Sequence, residues 1–353
     1  MLSGAQKYGS LKCFWSLMLL VCVLPVWPQA NDAAGDLKSA HRVTQAQEDW
    51  TSLALPAKGL PTSKPILGET DIEPTFTREI IRVQWRIGDP VDLYVIKPKA
   101  PVKPPVVLFL YSYPSETERF RDNGYCERIT NGGNAAVGFV SALTGNRYKD
   151  RPMKEWFVSE LPEAIGTSVH DVQMVLNYLA TREDLDMSKV AMFGEGSGGT
   201  IAILSAAVDS RIKAIDVLDP WGDWPEWMAH SSLVPDEERS RYVTSQFLSK
   251  VAPIDPIIWL ARLKTQKIRI DHVLDDSITS KAAKDRIEAA APASAQIVRY
   301  ETTRQFFTQV HGGHVFDWVK DQVGADVKSS ANGQHGASLG TRSDARPAES
   351  GND

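Results

Sequence analysis

An α/β protein with a mostly parallel sheet covered by helices on both faces is predicted from three observations. Between about residues 76 and 326, apolar runs of strand length alternate with segments of helical periodicity. One of those runs, Val106–Tyr111 (VVLFLY), is continuously apolar, as a strand buried on both faces requires. A glycine-rich corner, Gly194-Glu195-Gly196-Ser197-Gly198-Gly199, separates one such strand from a helix. The composition of the 353 residues, 42% hydrophobic and 24% charged, is that of a globular chain and excludes a disordered, collagenous or disulfide-framework protein. A formal net charge of −5 without a basic stripe argues against nucleic acid as a partner.

Taken in order, residues 1–30 read as an export signal. Lys7 and Lys12 precede the apolar run Phe14–Trp27, which Pro25 interrupts and which is shorter than a membrane-spanning helix of about 20 residues. Cleavage is expected after Ala30, with retention as an anchor as the alternative, so the protein is expected in the periplasm or secreted, with no stable membrane span once the signal is cleaved. Those two lysines are the only charges in the segment, and their removal takes the net charge from −5 to −7. Cys13 and Cys22 leave with it, so Cys126 stands alone and no intramolecular disulfide is expected. Residues 31–75 are polar and punctuated by Pro56, Pro61 and Pro65, which reads as an extended leader on the surface. Residues 327–353 hold almost nothing apolar to bury and are expected to be a disordered tail.

Within the domain of residues 76–326, Thr77–Trp85 and Val91–Ile96 flank Gly88-Asp89-Pro90 as an antiparallel hairpin. Strands follow at Val106–Tyr111 and Ala135–Leu143, then a helix over Val169–Leu179 with apolar residues at helical spacing. The strand Lys189–Phe193 leads into the glycine-rich corner and the helix Thr200–Val208, and the pattern repeats at the strand Ile212–Leu218. Strands Ile268–Leu274 and Gln296–Tyr300 flank a helix over Lys281–Ala290, and a last helix covers Val315–Val323. About residues 225–263 are expected to form a helical lid inserted over the site. In such a sheet, ligands bind at the carboxyl ends of the strands.

Three readings of the corner are open. It matches a nucleophile elbow, where a side chain is held on a strained turn between strand and helix, and the later order Ser, Asp276, His314 suits that reading. Alternatively Ser197 is only the N-cap of the helix, leaving a binding protein without nucleophilic chemistry. Thirdly, Gly194, Gly196 and Gly199 satisfy a dinucleotide-binding pattern, with Asp216 or Asp219 about twenty residues on. From about Phe76 to Val323 the chain resembles the α/β-hydrolase superfamily, particularly the dienelactone hydrolases, acetyl esterases and prolyl-oligopeptidase-like serine hydrolases. The segments that carry this are the corner, Asp276-Ser277-Ile278-Thr279-Ser280 and Gly313-His314-Val315-Phe316.

The resemblance implies an α/β-hydrolase fold and a serine hydrolase that cleaves an ester or peptide bond through an acyl-enzyme. Ser197 would be the nucleophile, His314 the base and Asp276 its orienting acid, with Asp275 as a substitute. In the family's own register, however, Gly196 occupies the nucleophile position, so catalysis by Ser197 requires an elbow slipped by one residue. Oxyanion donors are then expected at the Gly198 amide and, after the strand ending at Tyr111, at the amide of Ser112 or Tyr113. Trp221, Trp224 and Trp227 crowd the edge where the pocket should lie and suggest an apolar or sugar-like substrate surface. Trp156 and Trp259 read as core. His311 near His314 is poor support for a metal, and neither a metal nor a cofactor is expected.

Overall fold

The computed structural model describes residues 48–113, 117–143, 147, 158–263 and 267–324. The export signal, the tail, most of the leader before Glu48, Pro114 and Trp156 lie outside these residues. Asp49–Asp353 form one compact unit.

The sheet takes its strands from β1 (Ile66–Ile72), β2 (Phe76–Arg86), β3 (Asp89–Pro98), β4 (Pro105–Leu110), β5 (Ala135–Gly138), β6 (Asp186–Glu195), β7 (Ile212–Leu218), β8 (Lys267–Val273) and β9 (Gln296–Tyr300). They lie in the order β1-β2-β3-β5-β4-β6-β7-β8-β9. The first three pairings are antiparallel and the remaining five parallel. The chain therefore reverses its direction of travel across the sheet at β4, which has β5 on one side and β6 on the other. Loops leaving β4 and β6 part at this switch point and open a crevice between them.

Period-2 alternation divides β4 and β6 between two cores. Val106, Leu108, Leu110, Val190 and Met192 face one, built with helix α2 (Leu161–Leu179) and helix α3 (Ser197–Val208). Val107, Phe109, Ala191 and Phe193 face the other, completed by α1 (Asn123–Thr130) and α10 (Asp317–Val323). Both faces of these strands are covered, which is why they read as continuous apolar runs. Between β7 and β8, residues 224–260 fold into four short helices: α4 (Trp224–His230), α5 (Asp236–Tyr242), α6 (Ser245–Val251) and α7 (Pro256–Leu260). Helix α8 (Lys281–Ala290) follows β8, and α9 (Thr303–Val310) follows β9.

Some expectations shift. The strand predicted to reach Leu143 ends at Gly138, where pairing with β3 ends, and Ala142 then donates its N–H to Ser168 Oγ at 2.9 Å. The last helix begins at Asp317 rather than Val315, because Gly312 and Gly313 have φ of +70° and +96° and break the helical path before it. Seven residues of the predicted leader, Ile66–Ile72, form the edge strand β1. Upstream of it, Gln173 on α2 binds Leu53 O at 2.8 Å through Nε2 and accepts the Leu55 N–H at 3.0 Å through Oε1. Cys126 is a free, buried thiol. No helix among the described residues is long and apolar enough to cross a membrane.

Candidate functional site

The elbow between β6 and α3 turns at Gly196, with φ +53° and ψ −116°. A residue with a Cβ is strained there, so this is the position that a nucleophile elbow reserves for its reactive side chain, and here it holds none. The turn is pinned on both sides: Gly196 donates its N–H to Leu218 O at 2.8 Å and accepts from the N–H of Thr200 at 3.1 Å and of Trp221 at 3.3 Å. The other glycines serve close approach. A Cβ on Gly198 would fall on the Leu110 carbonyl of β4, so strand and helix can meet only without one.

Ser197 is thereby placed one residue beyond the turn, as the first residue of α3, and the slipped elbow is not formed. Its side chain is fully buried, and its Oγ accepts the Tyr113 N–H from the loop after β4 at 2.9 Å. That bond reaches across to another loop and does not cap α3, so the N-cap reading of Ser197 also gives way, with Gly196 as the N-cap. The same bond occupies the Tyr113 amide that was expected to face an oxyanion. With the turn at Gly196, the amide that follows it is that of Ser197, so the Gly198 donor moves back by one residue.

The side-chain space above Gly196 is filled from the β4 loop. A Cβ placed on Gly196 would fall on Ser112 Oγ, lie 2.8 Å from Ser112 Cβ and 3.0 Å from Trp221 Nε1. Ser112 thus plugs the place from which a nucleophile would project.

The two other predicted members of a triad lie apart in their bonding. Asp276 lines the crevice, and its Oδ2 accepts the Thr279 N–H at 3.0 Å. His314 is exposed, with its Nδ1 on Asp317 Oδ2 at 2.7 Å. No hydrogen bond joins Ser197, Asp276 and His314. Asp275 is exposed and accepts the N–H and Oγ1–H of Thr303, both at 2.7 Å. His311 binds Thr308 O, and among the described residues no group of three His, Cys, Asp or Glu is arranged to hold a metal ion.

The crevice has a volume of about 260 Å³ and runs over the ends of β4, β6, β7 and β8. Its polar wall carries Glu195, Asp219 and Asp276, and its apolar wall includes Trp221, Phe306 and Phe307. Burial pushes the Glu195 carboxyl up from its ordinary value; Arg119 opposes this, and the charges of Asp219 and Asp276 add to it. Lys284, buried behind the wall, stands 3.5 Å from Asp219 Oδ1 and 3.7 Å from Asp276 Oδ2 and donates to Val273 O. His272 Nδ1 lies 3.3 Å from Asp219 Oδ1, and Asp219 itself has φ +43°.

The tryptophan-lined pocket needs correction. Trp221, Trp224 and Trp227 are almost wholly buried, with ring centroids of Trp221 and Trp227 5.0 Å apart and of Trp224 and Trp227 5.8 Å apart. Only Trp221 reaches the crevice. The other two anchor the helical insertion to the core beside α3, since the large apolar area of an indole is best spent where no water reaches it. Trp259 is half-buried at the margin of the same core. No described residue of the expected lid, about 225–263, lines the crevice.

Sequence reasoning overlooked Glu195, Lys284 and the Phe306-Phe307 pair. A signal existed for Lys284, which shares the buried face of its helix with Ala283 and Ile287. Glu195 closes β6 immediately before the elbow, after the apolar run Val190–Phe193.

This fold has counterparts of known structure. An acetyl xylan esterase from Paenibacillus sp. R4 superposes with a TM-score of 0.55 at 16% identity, over 68% of this chain and 83% of its own. The fold is the α/β-hydrolase fold. Acetyl xylan esterase 1 from Thermoanaerobacterium sp. JW/SL YS485 gives a TM-score of 0.55 at 14% identity, over 72% of this chain and 88% of its own. The acylaminoacyl peptidase of Pyrococcus horikoshii gives 0.54 at 12% identity, over 76% of this chain and 44% of its own. Identities this low carry the hydrolase fold alone. No sequence-family profile matches the chain, and no curated protein matches it by sequence.

Proposed function

We propose that this chain is a small-molecule-binding protein built on the α/β-hydrolase fold, in which the acyl-transfer chemistry of Ser197 is absent. The observation that carries this reading is the strained elbow at Gly196, where the side chain needed for attack does not exist. The engaged Tyr113 amide and the exposed pairing of His314 with Asp317 support it. What survives is a crevice of about 260 Å³ at the sheet's switch point, the usual ligand position in such folds.

Hydrolysis of an ester or peptide is the second reading, favoured by the fold shared with esterases and a peptidase and by one local feature. Ser112 Oγ stands where an elbow side chain would begin, in the crevice itself. Ser197 with His314 and Asp276, the arrangement implied by the family resemblance, would have to free Ser197 Oγ from Tyr113 and turn His314 away from Asp317.

Purified residues 31–353 treated with a fluorophosphonate probe, alongside Ser112→Ala, Ser197→Ala and His314→Ala, separate these readings. The expected outcome is no labelling of the folded wild type. Labelling lost in Ser112→Ala alone would identify Ser112 as nucleophile, and labelling lost in both Ser197→Ala and His314→Ala would restore the triad of the second reading.

Export through residues 1–30 belongs to the same proposal and places the ligand outside the cytoplasm. N-terminal sequencing of the protein recovered outside the cytoplasm should begin at Asn31, and a retained Met1 would point to the anchor instead.

A further inference from the structure

Resting on the ligand-binding reading above, we infer that the crevice selects a monocationic amine whose body is aromatic or otherwise apolar. Two independent features of the crevice meet in this assignment. The first is an unanswered carboxyl. Glu195 lines the crevice half-buried, and its carboxyl accepts no hydrogen bond from any described residue. A half-buried carboxylate without a protein donor is left poorly satisfied, and a cation lodged against it supplies the missing partner.

The balance of charge points the same way. Glu195, Asp219 and Asp276 present three carboxylates to the crevice. Lys284 answers the second and third from behind. Arg119, whose guanidinium lies 3.7 Å over the Tyr111 ring, acts on Glu195 from outside the lining. Three carboxylates against the two cationic side chains Lys284 and Arg119 leave a surplus of one. A single positive charge completes it. Because the carboxylates do not converge in the group of three that a metal ion takes, the surplus suits an organic cation and not a metal.

The aromatic lining supplies the second feature. Phe306 and Phe307 offer aromatic surface, and Phe307 is 63% exposed although large apolar side chains gain by burial. Ring faces attract cations as well as apolar groups, so an amine with an apolar body engages both walls at once. A volume of about 260 Å³ accommodates one ring and a short chain but not an oligomer.

The test uses the whole mature chain and three probes of one shape: 2-phenylethylammonium, neutral 2-phenylethanol and anionic 3-phenylpropionate, titrated by calorimetry. The ammonium should bind with Kd of about 1 mM or tighter, and at least about tenfold more tightly than either comparison probe. Glu195→Gln should weaken the ammonium about tenfold while leaving the alcohol unchanged. No ammonium binding, equal binding of ammonium and alcohol, or an unaffected Glu195→Gln variant that circular dichroism shows to be folded each overturns the assignment. Fluorophosphonate labelling of the same samples separates the two claims. A labelled protein that still prefers the ammonium overturns the non-hydrolytic reading and upholds the cation site; an unlabelled one without that preference overturns the cation site alone.

Discussion

Gly196, Ser112 and Ser197 share the elbow between them. Gly196 supplies the backbone turn, Ser112 fills the space above it, and Ser197 Oγ ties the β4 loop to α3 through the Tyr113 amide. Placing a serine at the elbow should therefore be resisted twice, by strain at φ +53° and by collision with Ser112. Gly196→Ser is expected to cost about 1–3 kcal/mol of stability. In a Ser112→Gly background that cost should fall by about 1 kcal/mol, a coupling readable from urea denaturation of the four proteins in the cycle. Additive effects would show that Ser112 does not occupy that space.

Across elements, a buried ion-pair network joins the β2–β3 hairpin to α2. Asp171 on α2 is fully buried and accepts from Trp85 Nε1 at 2.8 Å and from Arg147 Nη1 at 2.5 Å, with Arg86 as a further partner. Arg147 also pairs with Asp89 at the start of β3. Burial alone would push the Asp171 carboxyl up, but the guanidiniums of Arg147 and Arg86 hold it below its ordinary value. Asp171→Asn leaves two buried cations short of an anion and is expected to destabilise by about 3–5 kcal/mol, measured as a fall in Tm and in the urea midpoint. An unchanged midpoint would mean that the network is solvated and contributes little.

At the scale of the whole molecule, stability against pH should report two buried carboxylates with opposite shifts. Asp171, depressed in the folded state, contributes stability that is present above its unfolded value and is lost as pH falls through the folded value. Asp216 behaves oppositely. It is fully buried on β7, and burial together with the neighbouring Asp271 raises it well above the ordinary carboxylate range against the pull of Arg269. Its contribution is present below the unfolded value and is lost as pH rises through the raised folded one. Asp216→Asn mimics the protonated form and can donate to Asp271, so the variant should gain on wild type as pH climbs from about 4 to 8, by on the order of 1–3 kcal/mol. Parallel stability curves for the two proteins across that range would show Asp216 to be ionised or absent from the balance.

What the sequence by itself determined is the architecture. Continuous apolar runs such as Val106–Leu110, the hairpin around Gly88, and the strand–glycine–helix corner are local signals, and burial on two faces leaves them little choice of structure. Sequence also offered two registers for that corner, with either Gly196 or Ser197 at the nucleophile position. It did not show where the turn falls, because two neighbouring glycines permit either register on paper, and only the contacts of Gly198 with β4 and of Gly196 with β7 select one. The tryptophan cluster was equally ambiguous: three rings within seven residues suit a pocket wall or a core, and the packing of residues 224–260 beside α3 puts Trp224 and Trp227 in the core. Glu195, Asp219, Asp276 and Lys284 come from four separate segments, and only the tertiary structure, by ending β6, β7 and β8 at one edge of the sheet, could bring their charges within reach of one another.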